Sequence, residues 1–194
     1  MRLAPVLRDL TQHLTRLDQP FAVVGGIAVS ARAEPRLTRD VDVAVAVASD
    51  VQAEGVLFAL RQVGYRVVAT VEQDAVQRLA TARLQHPTGV VCDLIFATCG
   101  VEAEIVQDAE PLDVFDDLDI VTASVVGLLA MKVLSATEQR PRDLEDIRAL
   151  LQDGSSLDER RLRDLLSLIE QRGFHRGQDL AAKWAGLKAR FSPG

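Results

Sequence analysis

Aromatic residues and positive charge are both in short supply in this sequence. Phe, Trp and Tyr make up 4% of the 194 residues, so a series of exposed aromatic side chains on which nucleobases could stack is not expected. The chain has 22 Lys and Arg against 28 Asp and Glu, a net charge of −6. Non-specific binding to nucleic acid through phosphate neutralisation is therefore not expected either, although a local basic rim is compatible with this balance.

Cysteine is rare as well. Cys92 and Cys99 form no Cys-x-x-Cys motif, and no set of histidines at metal spacing accompanies them. They are expected to be small buried side chains in a reducing cytosol rather than zinc or redox groups. Charges interrupt the apolar residues near the N-terminus, which argues against a signal peptide, a membrane span or a membrane partner, and predicts a cytoplasmic protein.

The segment from Ala22 to Val47 carries the clearest structural signals in the sequence. Ala22, Val23 and Val24 are typical of a buried strand. Gly25 and Gly26 then permit a tight turn, and helical composition follows. A strand–Gly-Gly–helix corner can direct backbone N–H groups at a bound anion, so Gly25 and Gly26 are candidate phosphate ligands.

A second predicted strand, Asp40 to Val47, carries two acids. Since successive strand side chains point to opposite faces, Asp40 and Asp42 share one face while valines line the other. Two carboxylates about 7 Å apart along a strand can hold hard cations such as Mg²⁺ or Mn²⁺. Arg32, Arg36 and Arg39 surround this segment, either as contacts for a nucleotide or an RNA end or simply as solvated loop residues.

A third acid interrupts an apolar run. Val90 to Ala97 is predicted to be a strand, paired as an antiparallel hairpin with Val76 to Gln85 through the turn His86–Gly89. Asp93 lies inside it, and an unpaired buried carboxylate is costly. Asp93 therefore needs a metal, a cationic partner or the sheet edge, and a structural pairing with an arginine is the alternative to a catalytic role.

The remaining chain is mostly helical in pattern. The acidic stretch Val101 to Asp119 is interpreted as a solvated edge, with a contact surface for a basic partner as the alternative. Thr122 is predicted to cap an apolar helix from Val125 to Ala136. Helices are further predicted at Leu3–Leu17, Val51–Val63 (capped at Ser49-Asp50), from Pro141 onwards, at Leu157–Glu170 and at Gln178–Arg190. These elements predict an α/β fold: a small mixed sheet flanked by helices over residues 1–121, followed by a C-terminal helical region over residues 122–194.

Lys132 lies within an apolar helix, where a cation requires a partner. Asp143 and Asp146 are three residues apart and share a helix face. They can meet Lys132 and anchor the C-terminal helices, or they can be capping acids of the helix that begins at Pro141, and the pattern favours neither. Lys132 can alternatively contact a triphosphate while one of the aspartates assists as a base.

The motif around the glycines resembles the nucleotidyltransferase superfamily, whose signature is a hydrophobic residue, Gly-Gly or Gly-Ser, roughly a dozen residues, and Asp-h-Asp-h. Here thirteen residues separate Gly26 from Asp40-Val41-Asp42-Val43. Arg36-x-Thr38-x-Asp40 before the second acid is similar to the AbiEii-type toxin branch of that superfamily. So is Lys132 followed by Arg142-Asp143-Leu144-Glu145-Asp146.

The resemblance implies transfer of a nucleoside monophosphate from an NTP to a hydroxyl of RNA, tRNA in particular, or of a protein. A cognate antitoxin is the implied partner. The implied metal ligands and catalytic residues are Asp40, Asp42 and Asp93, with Mg²⁺ or Mn²⁺ as the ion. The implied nucleotide-binding residues are Gly25, Gly26, Ser30, Arg39 and Lys132, supported by Arg36, Thr38, Asp143 and Asp146. Many relatives carry Ser at the position of Gly26, so Ser30, one turn later, is the candidate hydroxyl.

A non-catalytic alternative also fits the sequence. In it the domain keeps the fold and the nucleotide pocket but acts through contacts with a partner. The approach of Asp93 to the Asp40–Asp42 pair distinguishes the two hypotheses, because without it the metal site is incomplete.

Overall fold

The computed structural model describes residues 3–33, 35–115, 118–152 and 157–191. These residues form eight α-helices and seven β-strands. The helices are α1 Leu3–Arg16, α2 Gly25–Arg32, α3 Asp50–Gln62, α4 Glu102–Gln107, α5 Val125–Ser135, α6 Pro141–Gln152, α7 Glu159–Gln171 and α8 Leu180–Phe191. The strands are β1 Phe21–Val24, β2 Val41–Val45, β3 Arg66–Gln73, β4 Arg78–Gln85, β5 Val91–Ile95, β6 Glu110–Asp113 and β7 Asp119–Thr122.

The described strands form one mixed sheet in the order β3-β4-β5-β2-β1-β7-β6. The pairs β2–β5 and β1–β7 are parallel, and the other neighbours are antiparallel. The predicted hairpin of β4 and β5 is confirmed by its antiparallel register. The predicted α/β class with a small mixed sheet is likewise confirmed.

The central strands are covered on both faces. Val41, Val43, Ala44 and Val45 of β2 all have no exposed surface. An almost continuous apolar run is what a strand buried on both sides requires, whereas strands with one solvated face alternate. The interior of the sheet is thus a rigid base for the polar residues at the ends of these strands.

The helices after β7 pack around α5. Leu128, Leu129 and Val133 of α5 are buried, as the apolar composition of this helix predicts. Helices α6, α7 and α8 all contact α5, which also meets α2 beside the sheet. The C-terminal helices therefore form one wall against the sheet, while the division of the chain at residue 121 stays a prediction.

Two local predictions are wrong. Helix α5 is capped by Ser124, whose side chain accepts a hydrogen bond from the Gly127 N–H, whereas Thr122 is buried in β7. The acidic stretch Val101 to Asp119 is not simply a solvated edge, because it contains α4 and β6; its Asp116 and Asp117 lie outside the described residues. Glu102 is buried there because its carboxylate accepts the N–H groups of Thr98 and Cys99 at 2.6 and 2.7 Å.

Both cysteines are free and buried, as expected. Burial, followed by the charge of Asp93, raises the pKa of Cys92 to about 12, so this thiol is not poised for redox chemistry. Across the described ranges, every helix is too short or too polar to cross a membrane.

Candidate active site

Strand register places polar residues side by side across the middle of the sheet. Asp42 of β2 pairs with Val24 of β1 on one side and with Asp93 of β5 on the other. Asp93 in turn pairs with Arg83 of β4. Paired positions on neighbouring strands carry their side chains on the same face. Asp42, Asp93 and Arg83 therefore lie side by side across the sheet. We call the three acids Asp40, Asp42 and Asp93 the acidic row, and Arg83 lies at its end.

The glycine corner is built around Asp42. Gly25 has φ of +62°, a conformation that favours glycine, and a Cβ atom there would overlap the Asp42 carboxylate. The backbone N–H of Gly26 lies near enough to that carboxylate to lower the pKa of Asp42 slightly. A Cβ at Gly26 would also lie 2.9 Å from Cβ of Thr38. The two glycines thus allow the backbone to approach Asp42 and Thr38 closely.

The protonation of Asp42 reflects crowding among the acids. Burial raises its pKa to about 6, and the charges of Asp93 and Asp40 add to the rise. Lys132 and the Gly26 N–H act in the opposite direction without cancelling it. A bound cation would relieve this repulsion, so the chemistry of the three carboxylates fits a divalent metal ion.

Asp40 lies at a bend immediately before β2, so the strand begins one residue later than the sequence predicts. Its side chain is half-buried, and the Thr38 hydroxyl lies 3.5 Å from its carbonyl oxygen. Arg39 is exposed beside it. Its predicted contact with a nucleotide stays a prediction.

Asp93 has a cationic partner in this structure. Arg83 donates from Nε to Oδ1 at 2.9 Å and from Nη2 to Oδ2 at 2.7 Å. Both oxygens of Asp93 are therefore engaged, which is the arginine pairing that the sequence left open. Over the described ranges, no three or more His, Cys, Asp or Glu side chains are arranged around a metal position. Asp93 lies beside Asp42 but does not complete a three-ligand site as placed.

A second charge cluster joins the helices to the glycine corner. Lys132 donates to Asp143 at 2.6 Å and lies 2.7 Å from Asp146. Arg36 donates from Nη2 to Asp146 at 3.0 Å, while its Nε lies 2.7 Å from the other Asp146 oxygen without hydrogen-bond alignment. Arg140 Nε is 2.9 Å from Asp143. Asp143 and Asp146 are only 3% and 1% exposed, so they anchor cations. We call these five residues the helix-side cluster.

Ser30 is used within the protein. Its hydroxyl donates to the carbonyl oxygen of Gly26 at 2.8 Å and accepts from the N–H of Arg36 at 3.2 Å. It therefore holds the loop after α2 against the glycine corner. A contact between Ser30 and phosphate would require these bonds to be exchanged.

A cleft of about 190 Å³ separates the two charged groups. Asp42 and Gly25 line it from the sheet, and Lys132 and Asp143 line it from the helices. Its other lining residues are Val24, Ile95, Thr98, Cys99, Leu128, Met131, Leu134, Ser135, Arg140 and Arg176. The Asp42 carboxylate thus shares a cleft with the cations Lys132, Arg140 and Arg176 and with apolar side chains.

Sequence reasoning missed three arginines of this site: Arg83, Arg140 and Arg176. Arg83 could have been found by counting the hairpin register from a three-residue turn, Pro87–Gly89, which pairs His86 with Val90 and places Arg83 opposite Asp93. Arg176 enters from the loop between α7 and α8, with φ of +55°, and donates to the carbonyl oxygen of Thr98 at 3.3 Å. No local pattern indicates that approach, because the two residues are far apart in the chain.

Comparison with known proteins supplies the family. The family model described as "Nucleotidyl transferase AbiEii toxin, Type IV TA system" matches residues 8–192. A comparison with curated proteins gives no match. The solution structure of the antibiotic-resistance factor ANT(2'')-Ia matches with a TM-score of 0.58 and 16% identity, over 96% of this chain and 95% of that chain.

The crystal structure of ANT(2'')-Ia in complex with adenylyl-2''-tobramycin matches with a TM-score of 0.57 and 12% identity, over 89% of this chain and 99% of that chain. At such identities these two structures support the nucleotidyltransferase fold alone. The family model extends over nearly the whole sequence and includes both the Asp40–Asp42 motif and the Lys132–Asp146 region. The chain therefore belongs to the AbiEii family of nucleotidyltransferase toxins.

Proposed function

We propose that this protein transfers a nucleoside monophosphate from an NTP to an acceptor hydroxyl. The hydroxyl oxygen forms a bond to the α-phosphorus, the bond from that phosphorus to the bridging oxygen breaks, and pyrophosphate leaves. The proton of the hydroxyl is lost to a carboxylate or to water. The observation that carries this proposal is the position of Asp42, which belongs to the acidic row, lies against the glycine corner and lines one cleft with Lys132, Arg140 and Arg176.

The acidic row is the proposed site of the divalent metal ion. Asp40 and Asp42 would hold Mg²⁺ or Mn²⁺, which supplies neutralisation of phosphate charge during an in-line displacement. The pKa of Asp42, raised to about 6 by burial and neighbouring acids, still leaves it ionised at neutral pH and ready to serve as a ligand. Asp93 would lower the pKa of the attacking hydroxyl, as a ligand or as a base.

The opposite wall is the proposed phosphate site. Lys132, Arg140 and Arg176 all line the cleft. Cations fixed in a partly enclosed space stabilise negative charge as it accumulates on a leaving pyrophosphate. Gly25 lines the cleft at the corner, so backbone there can lie against the phosphates, whereas the aliphatic side chains of Leu128 and Met131 provide apolar contact area.

For the acceptor we propose a hydroxyl of RNA, tRNA in particular, or of a protein, and for the biological role a toxin restrained by an antitoxin in the cytoplasm. The family match supports the toxin role. With a net charge of −6, binding of RNA would depend on local contacts such as Arg36 and Arg39 rather than on a broad basic surface.

The decisive experiment compares transfer of radioactive label from NTP that is labelled at the α-phosphate with transfer from NTP that is labelled at the γ-phosphate. Protein, Mg²⁺, total RNA and total protein extract are incubated with α-³²P-labelled or γ-³²P-labelled NTP. Nucleotidyl transfer retains the α label on the acceptor and releases the γ label as pyrophosphate. Digestion with ribonuclease or protease then assigns the label to RNA or protein. Label transfer from the γ position would indicate phosphoryl transfer and would contradict the proposal.

A non-catalytic nucleotide-binding role has one observation in its favour. Arg83 engages both oxygens of Asp93, which leaves the predicted three-ligand site unassembled in this structure. This alternative predicts an NTP-dependent rise in melting temperature without any label transfer. Transfer that is abolished by EDTA and by Asp42→Asn would exclude it.

A further inference from the structure

Arg83 ends the acidic row, and its contacts are unusually complete. Its guanidinium forms two parallel hydrogen bonds to the Asp93 carboxylate, at 2.9 and 2.7 Å. This two-point geometry is the strong form of an arginine–carboxylate pair. Any cation that takes Asp93 as a ligand must therefore share oxygens that already have a partner.

The two members of this pair differ in their freedom to move. The Asp93 side chain is 13% exposed and projects from β5, a strand paired on both sides. The Arg83 side chain is 50% exposed, at the end of a long flexible stem. Arg83 can therefore turn towards water at a small cost, whereas Asp93 is fixed beside Asp42. Arg83 is the partner that yields.

We propose that Arg83 is a positioning residue that occupies Asp93 in the metal-free protein and competes with the divalent cation for this carboxylate. The inference rests on the proposed function, because it assumes that Asp40 and Asp42 bind the cation. Asp93 then joins the metal site only when Arg83 releases at least one of its oxygens. Arg83 also balances part of the negative charge that the acidic row carries in the absence of metal. The affinity of the free protein for metal is thereby held below what three carboxylates would provide.

The test measures binding of Mn²⁺ alone to metal-free protein, by electron paramagnetic resonance of the free ion. We expect Arg83→Gln to lower the Kd for Mn²⁺ roughly 5- to 10-fold, because the substitution removes a positive charge that competes with the ion for Asp93. Arg83→Lys keeps the charge but loses the two-point geometry, so its Kd should lie between those of Arg83→Gln and the unaltered protein.

Arg78 provides a matched control. It lies on the same strand, β4, and pairs with Asp50 at 2.7 Å. Five residues along a strand separate it from Arg83 by about 16 Å, beyond the screening length of physiological salt. Arg78→Gln should leave the Kd for Mn²⁺ unchanged. A decrease equal to that of Arg83→Gln would mean that overall charge is responsible, and would overturn the inference.

A double-mutant cycle tests whether the effect passes through Asp93. In an Asp93→Asn background, Arg83→Gln should change the Kd for Mn²⁺ less than about 2-fold, since the carboxylate for which the two cations compete is gone. An undiminished effect in that background would contradict the inference.

The same titrations separate failure of the inference from failure of the proposed function. If Asp42→Asn does not weaken Mn²⁺ binding, the proposed metal site is wrong and the inference falls with it. If Asp42→Asn weakens binding while Arg83→Gln leaves it equal or weaker, the metal site stands and the inference is overturned. If Arg83→Gln does not fold, Arg83→Lys decides, and a Kd equal to that of the unaltered protein overturns the inference.

Discussion

The buried acids on the two sides of the cleft differ in whether a cation is paired with them. On the sheet side, burial and neighbouring acids raise the pKa of Asp42 to about 6, so its ionised form is destabilised. On the helix side, Asp143 and Asp146 are more deeply buried, yet Lys132, Arg36 and Arg140 surround them at 2.6–3.0 Å. On the sheet side Arg83 pairs with Asp93, and among the described residues no cation lies within ion-pair distance of Asp42, whereas both helix-side acids have such partners. The first is therefore suited to receiving an ion, and the second to holding the structure together.

The largest effect expected from this difference is on catalysis. Asp42→Asn keeps the shape of the side chain and removes its charge, so transfer activity should fall roughly 1,000-fold, the scale of several kcal/mol of lost metal-assisted stabilisation. The melting temperature without metal should not decrease. Label transfer and a thermal melt measure the two quantities.

Asp164→Asn on the exposed surface of α7 is the matched control and should alter neither. An active Asp42→Asn protein would remove the sheet wall from the mechanism. A large drop in its melting temperature would mean that Asp42, like the helix-side acids, is a structural residue.

On the helix side the expected effect is on stability. The Asp146 carboxylate is only 1% exposed and pairs with both Lys132 and Arg36. Asp146→Ala removes this shared partner, and breaking a buried ion pair in this way lowers the free energy of unfolding by about 3–5 kcal/mol. Urea denaturation measures the change. Glu145→Ala, exposed on the same helix, should cost well under 1 kcal/mol. A similar cost for both variants would contradict the anchoring role.

Asp42 on the sheet wall should also give a pH dependence of stability. Because the folded pKa of Asp42 is about 6 and its ordinary value is 3.8, the folded metal-free protein binds the proton more tightly than the unfolded chain does. The stability contributed by this group is therefore lost as pH rises between about 4 and 6, by at most about 3 kcal/mol.

Denaturation of the unaltered protein and of Asp42→Asn at pH 4, 5, 6 and 7 isolates that contribution, since the other titrating groups are common to both. The variant should become relatively more stable as pH rises. A constant difference between the two curves would show that burial and the neighbouring acids do not raise the pKa of Asp42.

The smallest predicted effect concerns Lys132, which belongs to the helix wall but lines the cleft. Lys132→Ala should raise the KM for NTP about 10-fold, equivalent to about 1.4 kcal/mol, if this lysine also contacts phosphate. Steady-state kinetics measure it, with Lys188→Ala, a surface residue paired with Glu159, as control. An unchanged KM would leave Lys132 with a structural role alone.

Much of the fold could be predicted from local sequence patterns. The Gly-Gly corner, the β4–β5 hairpin and the helix that begins at Pro141 are confirmed, because turn residues and hydrophobic spacing act over a few positions. Strands β6 and β7 were missed because each has four residues, and β7 pairs with β1 through Val23 and Thr122, nearly a hundred positions apart. Thr122 and Ser124 both have side chains that can cap a helix, so composition could not choose between them.

The residues of the candidate site likewise divide into those that local sequence indicates and those that only tertiary packing brings into place. Asp40 and Asp42 were candidates because the Asp-x-Asp motif lies at a predicted strand, although Asp40 precedes β2, and a partner for Lys132 was expected from its apolar surroundings. Neither Arg140 nor Arg176 could be placed in the cleft from the sequence, because their positions depend on how the helices pack. The close approach of Gly25 to Asp42 likewise depends on contact between two elements rather than on either one.

The most direct test of the account is the change in melting temperature on adding Mg²⁺ with a non-hydrolysable NTP at neutral pH. We predict a clear increase for the unaltered protein, because the cation relieves repulsion at Asp42, and little or no increase for Asp42→Asn. An equal increase in both proteins, or none in either, would contradict the claim that the sheet wall is built to receive a metal-bound nucleotide.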